Sequence, residues 1–96
     1  MKMILITYGE GIDEAVMGLL RSNVQAEYTK WTKVSGWGQH AEPHLVSHDW
    51  PKANNVLMAC VEDEKARRLM DGVRELKKTL KHEGIKAFSM PVDDMT

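Results

Sequence analysis

The chain predicts an α+β fold of four strands and two helices in the order β-α-β-β-α-β, and three observations predict it. β-Branched and aliphatic runs at 2–8, 55–61 and 85–92 are flanked by glycine, asparagine or proline, the composition and punctuation of strands. Two segments, 12–20 and 66–80, repeat apolar residues at the spacing of an amphipathic helix. Between a strand read over 24–34 and the one at 55–61, no period of 2 or 3.6 survives, so those two strands are joined without a helix.

In the first strand, Lys2 to Tyr8, Met3 and Leu5 fall on one face and Ile4 and Ile6 on the other. Ile12, Ala15, Val16, Leu19 and Leu20 then recur at helical spacing. Asp13 and Glu14 suit the positive end of that helix's dipole and Arg21 the negative end. Ser22-Asn23 supplies a stop, asparagine being tolerant of the left-handed cap. The second strand, Val24 to Val34, is rich in Val, Tyr, Thr and Trp, with Trp31 on the face opposite Tyr28, Thr32 and Val34. In the third, Val56, Met58 and Cys60 alternate with Leu57, Ala59 and Val61.

The second helix carries a stripe of Ala66, Leu69, Met70, Val73, Leu76 and Leu80. Asp63 is the expected N-cap, and Lys77, Lys78, Lys81 and His82 gather where a helix end favours cations. Gly84 is placed for a left-handed cap. Gly72 costs the helix about 1 kcal/mol against alanine, which points to close packing there. The last strand, Ile85 to Val92, has Pro91 near its end, where a missing N–H matters least.

This order is the ferredoxin-like split βαβ arrangement, with a four-stranded antiparallel sheet and two helices on one face. Two helices cover only one face, yet the first and third strands are apolar on both. The second face needs a cover, and the simplest is the same face of another copy, so a homo-oligomer with its sheets facing inward is expected.

With 96 residues, 43 % hydrophobic and 28 % charged, the chain reads as a single domain over 1–96 of ordinary globular composition. A net charge of −1, with no basic stripe, argues against nucleic acid and against an anionic membrane surface. One cysteine, Cys60, cannot build a disulfide framework and fits a reducing compartment. The N-terminal Met-Ile-Leu-Ile run is too short for a signal-peptide core or a bilayer span, and a cytoplasmic location is expected. No Ser/His/Asp or Cys/His order marks an enzyme, and the acidic run at 62–64 is explained by the helix start.

Function concentrates in the stretch from Val34 to Pro51. A structureless segment this long inside a compact domain is either functional or disordered; Trp37 and Trp50 favour the first, because indoles want something to pack on. Of the chain's 4 histidines, His40, His44 and His48 lie here with Glu42 and Asp49, residue types that bind Zn, Ni, Cu or Co. Pro43 disfavours a helix through them, and in an extended strand residues four apart lie about 13 Å from one another. A site therefore needs the loop to fold back or histidines from several subunits to converge; otherwise these are solvated loop histidines. Cys60 reads as core rather than ligand.

Thr32-Lys33-Val34-Ser35-Gly36-Trp37-Gly38-Gln39, running off the second strand, resembles the Thr-x-Val-x-Gly-aromatic-Gly base of the mobile T-loop in nitrogen-regulatory PII and PII-like signalling proteins. Gly84-Ile85-Lys86-Ala87-Phe88 is similar to that family's Gly-x-Lys-x-Phe entry into its last strand. The resemblance implies a homotrimer whose three sheets face one another, with effector sites in the clefts between subunits. It implies ligand-binding roles for Gly36, Trp37, Gly38, Gln39 and Lys86. It also implies a T-loop, here about 36–54, that responds to effector and so docks on, or releases, a membrane transporter or an enzyme. Gly36 and Gly38 would let backbone N–H groups close on an anion, and Lys86 would supply a point charge.

The departures are equally specific. Gln39-His40 stands where the family has Arg-Gln, the phosphate-binding loop is shortened to Lys81–Lys86, and no arginine follows Arg74. No tyrosine lies between Val34 and Pro51 for uridylylation. The chain therefore reads as a divergent, PII-like regulator whose effector is an adenine nucleotide or another small anion. The alternative is a PII-like or CutA-like trimer that binds a transition metal through His40, His44 and His48 and serves metal efflux.

Overall fold

The computed structural model describes residues 1–23, 27–36 and 53–96. Its elements are β1 (Lys2–Gly9), α1 (Asp13–Asn23), β2 (Thr29–Val34), β3 (Asn54–Val61), α2 (Asp63–Thr79) and β4 (Ile85–Pro91), with a 3-10 turn over Glu10–Ile12. The strands form one sheet in the order β2-β3-β1-β4. Each neighbouring pair is antiparallel. This is the ferredoxin-like arrangement that the element order predicts.

Alternation decides the packing. Ile4, Ile6 and Tyr8 of β1, Leu57, Ala59 and Val61 of β3, and Ile85 of β4 are buried beneath the helices. They meet Val16, Met17 and Leu20 of α1 and Ala66, Leu69 and Val73 of α2 in one core. Ile4, Ile6, Leu57 and Leu69 are fully buried, and each contributes about 1.5–3 kcal/mol through apolar surface removed from water. The two helices meet closely at Gly72, where an added Cβ would lie 2.2 Å from Leu19 Cδ1. That contact, rather than backbone freedom, accounts for the mid-helix glycine. Gly72→Ala therefore trades about 1 kcal/mol of helix propensity against overpacking of about 1–3 kcal/mol. A net loss is expected on urea denaturation and a larger one for Gly72→Val; stabilisation by valine would contradict the close contact.

On the other face the pairing aligns Met3 with Cys60 and Met90, Leu5 with Met58 and Phe88, and Thr7 with Val56 and Lys86. Trp31 lies across from Val56 and joins them. None of these residues is buried, and Trp31 and Phe88 are 46 % and 47 % exposed. This apolar face has no cover among the described residues. Cys60 sits on it half-buried, so it belongs to this face and not to the core under the helices.

Several local expectations are corrected. The second strand starts at Thr29, not Val24. Residues 24–26 lie outside the described residues, and Glu27 and Tyr28 carry no strand assignment. β-Propensity does not extend a strand beyond the point where its partner pairs with it. Simple alternation puts Val34 opposite Trp31, but a register shift pairs Trp31 with Val56 and Val34 with Asn54. Val56 and Asn54 share a face, so the irregularity returns Val34 to Trp31's side. The N-cap of α2 is Glu62; Asp63 is its first residue and accepts a 2.8 Å hydrogen bond from the Met1 amine. α2 closes at Leu80, and no described glycine has a positive φ, so Gly84 is not a left-handed cap. The Gly84 carbonyl instead accepts from the Gly9 N–H at 3.1 Å, fixing the entry of β4 against β1. Asn23 ends α1 by donating its side-chain amide to the Leu19 carbonyl at 2.9 Å.

Candidate functional site at one end of the sheet

Four chain ends converge at one end of the sheet: the exit of β1, the exit of β2, and the entries of β3 and β4. Two backbone bonds hold the corner, Gly9 N–H to the Gly84 carbonyl at 3.1 Å and Glu10 N–H to the Ala53 carbonyl at 3.0 Å. Gly36 lies here because it follows β2, and Lys86 because it enters β4. Gly36 approaches β3 so closely that a Cβ would stand 2.1 Å from Asn54 Nδ2 and 3.3 Å from its Cγ. Lys86 is exposed and pairs with Thr7 on the uncovered face.

The structure does not bring those two residues together within one chain. β2 and β4 are the two edges of the sheet, separated by about 14 Å at the usual inter-strand spacing. Trp37, Gly38, Gln39, His40, His44 and His48 lie outside the described residues.

Lys33, three residues before Gly36, has φ 55. A lysine in the left-handed region costs roughly 1–2 kcal/mol, and such outliers gather where a backbone must be aimed. The register shift of β2 falls on the same stretch, between Trp31 and Val34. Lys33 Nζ lies 3.8 Å from Glu10 Oε2.

A polar cluster beneath this corner was not foreseen. Asp13, the first residue of α1, accepts from the Tyr8 hydroxyl at 2.7 Å and from Asn55 Nδ2 at 3.2 Å. It also accepts from Lys30 Nζ at 3.3 and 3.2 Å. Three strands thus donate to one carboxylate. Tyr8 and Asn55 are buried, at 1 % and 4 % exposure, and Asn55 Oδ1 is buried without a hydrogen-bond partner among the described residues. The signal was present in the sequence: Asn55 occupies the core-facing phase of a run that continues Leu57, Ala59, Val61.

The cluster titrates asymmetrically. The Tyr8 hydrogen bond, opposed by burial and reinforced by Lys30 and Asn55, holds the Asp13 carboxyl below the ordinary carboxylate range. Burial first, and then the Asp13 carboxylate, push the Tyr8 phenol well up. For Asp13 the unfolded chain binds the proton more readily, so its contribution is present above about pH 4 and is lost as pH falls below that. For Tyr8 the folded chain holds the proton longer, so its contribution is complete below about pH 10 and is lost as pH rises further. Tyr8→Phe should therefore remove an alkaline loss and make the acid loss shallower when urea midpoints are compared across pH. A pH-independent difference from the parent would contradict this.

No family model and no curated protein matches the chain. Solved structures do. CPII from Thiomonas intermedia K12, bound to ADP and bicarbonate, aligns over 97 % of this chain and 88 % of its own at 23 % identity and a TM-score of 0.67. A Thermus thermophilus protein classed as PII-like signalling aligns over 95 % and 85 % at 21 % identity, with a TM-score of 0.65. The fold is that of PII-like proteins. A functionally unknown protein from Pediococcus pentosaceus ATCC 25745 also aligns with this chain, at 14 % identity and a TM-score of 0.61 over 99 % of this chain and 95 % of its own. The resemblance carried by 32–39 and 84–88 is thus matched by the architecture. No described helix is long and apolar enough to cross a membrane.

Proposed function

We propose that the chain is a divergent PII-like regulatory protein that acts as a homotrimer and senses a small anionic effector in the clefts between its subunits. The observation that carries this reading is the uncovered apolar sheet face, with Gly36 and Lys86 at one end of it on opposite edges. Copies packed through that face bury Leu5, Met58 and Phe88. They can also set the β2 exit of one subunit beside the β4 entry of the next, which a single chain cannot do. Gly36, Trp37, Gly38, Gln39 and Lys86 would form the cleft, with backbone N–H groups and one ammonium for the anion. ADP and bicarbonate, found on CPII, are the first effectors to try. The segment about 36–54 would carry the signal to a protein partner such as a membrane transporter, a regulatory and not a catalytic role.

Titrating the protein with ADP and bicarbonate by calorimetry tests the reading. Saturable binding that Lys86→Ala weakens is expected. Binding unaffected by Lys86→Ala would place the site elsewhere.

The transition-metal alternative rests on the sequence of His40, His44 and His48, and no group of three or more His, Cys, Asp or Glu that could hold a metal ion occurs among the described residues. It predicts Zn, Cu or Ni binding that weakens as pH drops through about 6.5, since imidazole binds metal in its neutral form. Unchanged metal binding in His40→Ala and His44→Ala would reject it.

A further inference from the structure

We propose that Asp13 is a positioning residue for the β2 exit: through Lys30 it sets the path of the edge strand and thereby the placement of Gly36. The inference rests on the reading that Gly36 belongs to an effector site, but its structural part can be decided without any ligand.

β2 is an edge strand, hydrogen-bonded on one side only, to β3. That single ladder is irregular between Trp31 and Val34, just where the direction of the exit is decided. Lys33 there adopts φ 55, a conformation that the ladder alone would not favour for a lysine. Something outside the ladder must hold the strand in this path. Among the described residues there are two such ties, both to the β1–α1 corner. Lys30 Nζ reaches both oxygens of Asp13 at 3.3 and 3.2 Å, with the two side chains 24 % and 29 % exposed. Lys33 Nζ lies 3.8 Å from Glu10 Oε2 with Lys33 81 % exposed. The exposed pair is screened by water and holds little; the sheltered, bidentate one holds the strand.

The surroundings of Asp13 support a positioning role over a stabilising one. Asp13 is itself fixed by donors from Tyr8 on β1 and Asn55 on β3, so Lys30 is tied to the two central strands and not to a loose side chain. Asn55 leaves a buried oxygen unpartnered to take part, a cost that an apolar residue would avoid. Replacing both partners of a buried ion pair by apolar residues is often neutral in stability, so the contribution of such a pair is sought in the geometry it fixes. Asn55 is also next in sequence to Asn54, whose side chain Gly36 packs against. The cluster and the exit thus share β3 as a common base.

Lys30→Met tests this, because methionine keeps the length of the side chain and leaves Asp13 with its Tyr8 and Asn55 donors. Lys30→Arg restores the charge. Amide exchange by NMR is measured together with Tm and ADP affinity. In Lys30→Met, exchange across β2 and at Asn54 should rise at least tenfold, while β1 and α2 amides keep their protection and Tm shifts by no more than about 3 °C. ADP affinity should fall about tenfold, and Lys30→Arg should recover both readouts. Unchanged β2 exchange overturns the proposal whatever ADP does. A uniform rise in exchange with a large fall in Tm also overturns it, since that marks a merely structural pair. If the parent protein does not bind ADP, the effector reading fails separately, and the exchange pattern alone decides the positioning role.

Discussion

Leu5→Glu is expected to turn the proposed trimer into folded monomers. Leu5 lies on the central strand β1, on the uncovered face, with Met58 beside it on β3 and Phe88 on β4. In a lone subunit Leu5 is only half-buried and lies outside the core under the helices, so a carboxylate there can still reach water. In a trimer packed through this face, each copy would place an unpaired charge at an apolar interface. That costs several kcal/mol per copy, so assembly should weaken by more than about 1,000-fold at 1.4 kcal/mol per factor of ten. Sedimentation should give a species near the 10.9 kDa subunit mass with unchanged far-ultraviolet dichroism. An unchanged sedimentation coefficient would show that this face is not the interface, and loss of dichroism would show that Leu5 holds the subunit itself together.

Gly36→Val is expected to weaken ADP binding at the proposed site by about 100-fold or more. The reason is contact rather than backbone freedom, since no described glycine has a positive φ. A Cβ at Gly36 meets Asn54 Nδ2 at 2.1 Å, and a β-branched side chain adds two methyl groups whose χ1 is stiff. Asn54 can rotate its amide away from a single methyl, so Gly36→Ala should cost less than valine. Gly36→Ala combined with Asn54→Ala should recover most of the affinity. Failure of that pair to recover would mean that the Cβ itself obstructs the ligand's approach to the backbone, or that the ligand needs the Asn54 amide. Tight binding by Gly36→Val would exclude Gly36 from the site.

How much of this was legible in the sequence differs from element to element. The four strands and two helices stood out because apolar period and flanking residues agreed at each. The doubly apolar alternation of Met3–Ile6 and Val56–Val61 foretold the uncovered face. β2 was read less well: its irregular register and the left-handed Lys33 carry no mark in a run of β-formers, so Val34 was assigned to the wrong side. Asp63 and Gly84 were assigned cap roles by residue type, but a cap is fixed by backbone geometry that type does not determine. At the candidate site, Gly36 and Lys86 could be named from the resemblance, but not that they lie at opposite edges of the sheet, which only the strand order reveals. The Asp13 cluster was missed for a different reason. Asp13 had a sufficient local explanation in the helix dipole, and its donors Tyr8, Lys30 and Asn55 come from three separate stretches of chain.

Subunit complementation tests the central claim, that each effector site is shared between neighbours, most directly. Gly36→Val and Lys86→Ala chains are unfolded together, refolded as a mixture and titrated with ADP beside each variant alone. In a mixed trimer, a Lys86→Ala chain supplies a native Gly36 edge and its Gly36→Val neighbour a native Lys86 edge, so random mixing regenerates about a quarter of the clefts. Recovery of about that fraction of parental-affinity ADP sites, from two variants that each bind only weakly alone, is the predicted result. No recovery, with mixed trimers present, would mean that the site lies within one chain and would contradict the account.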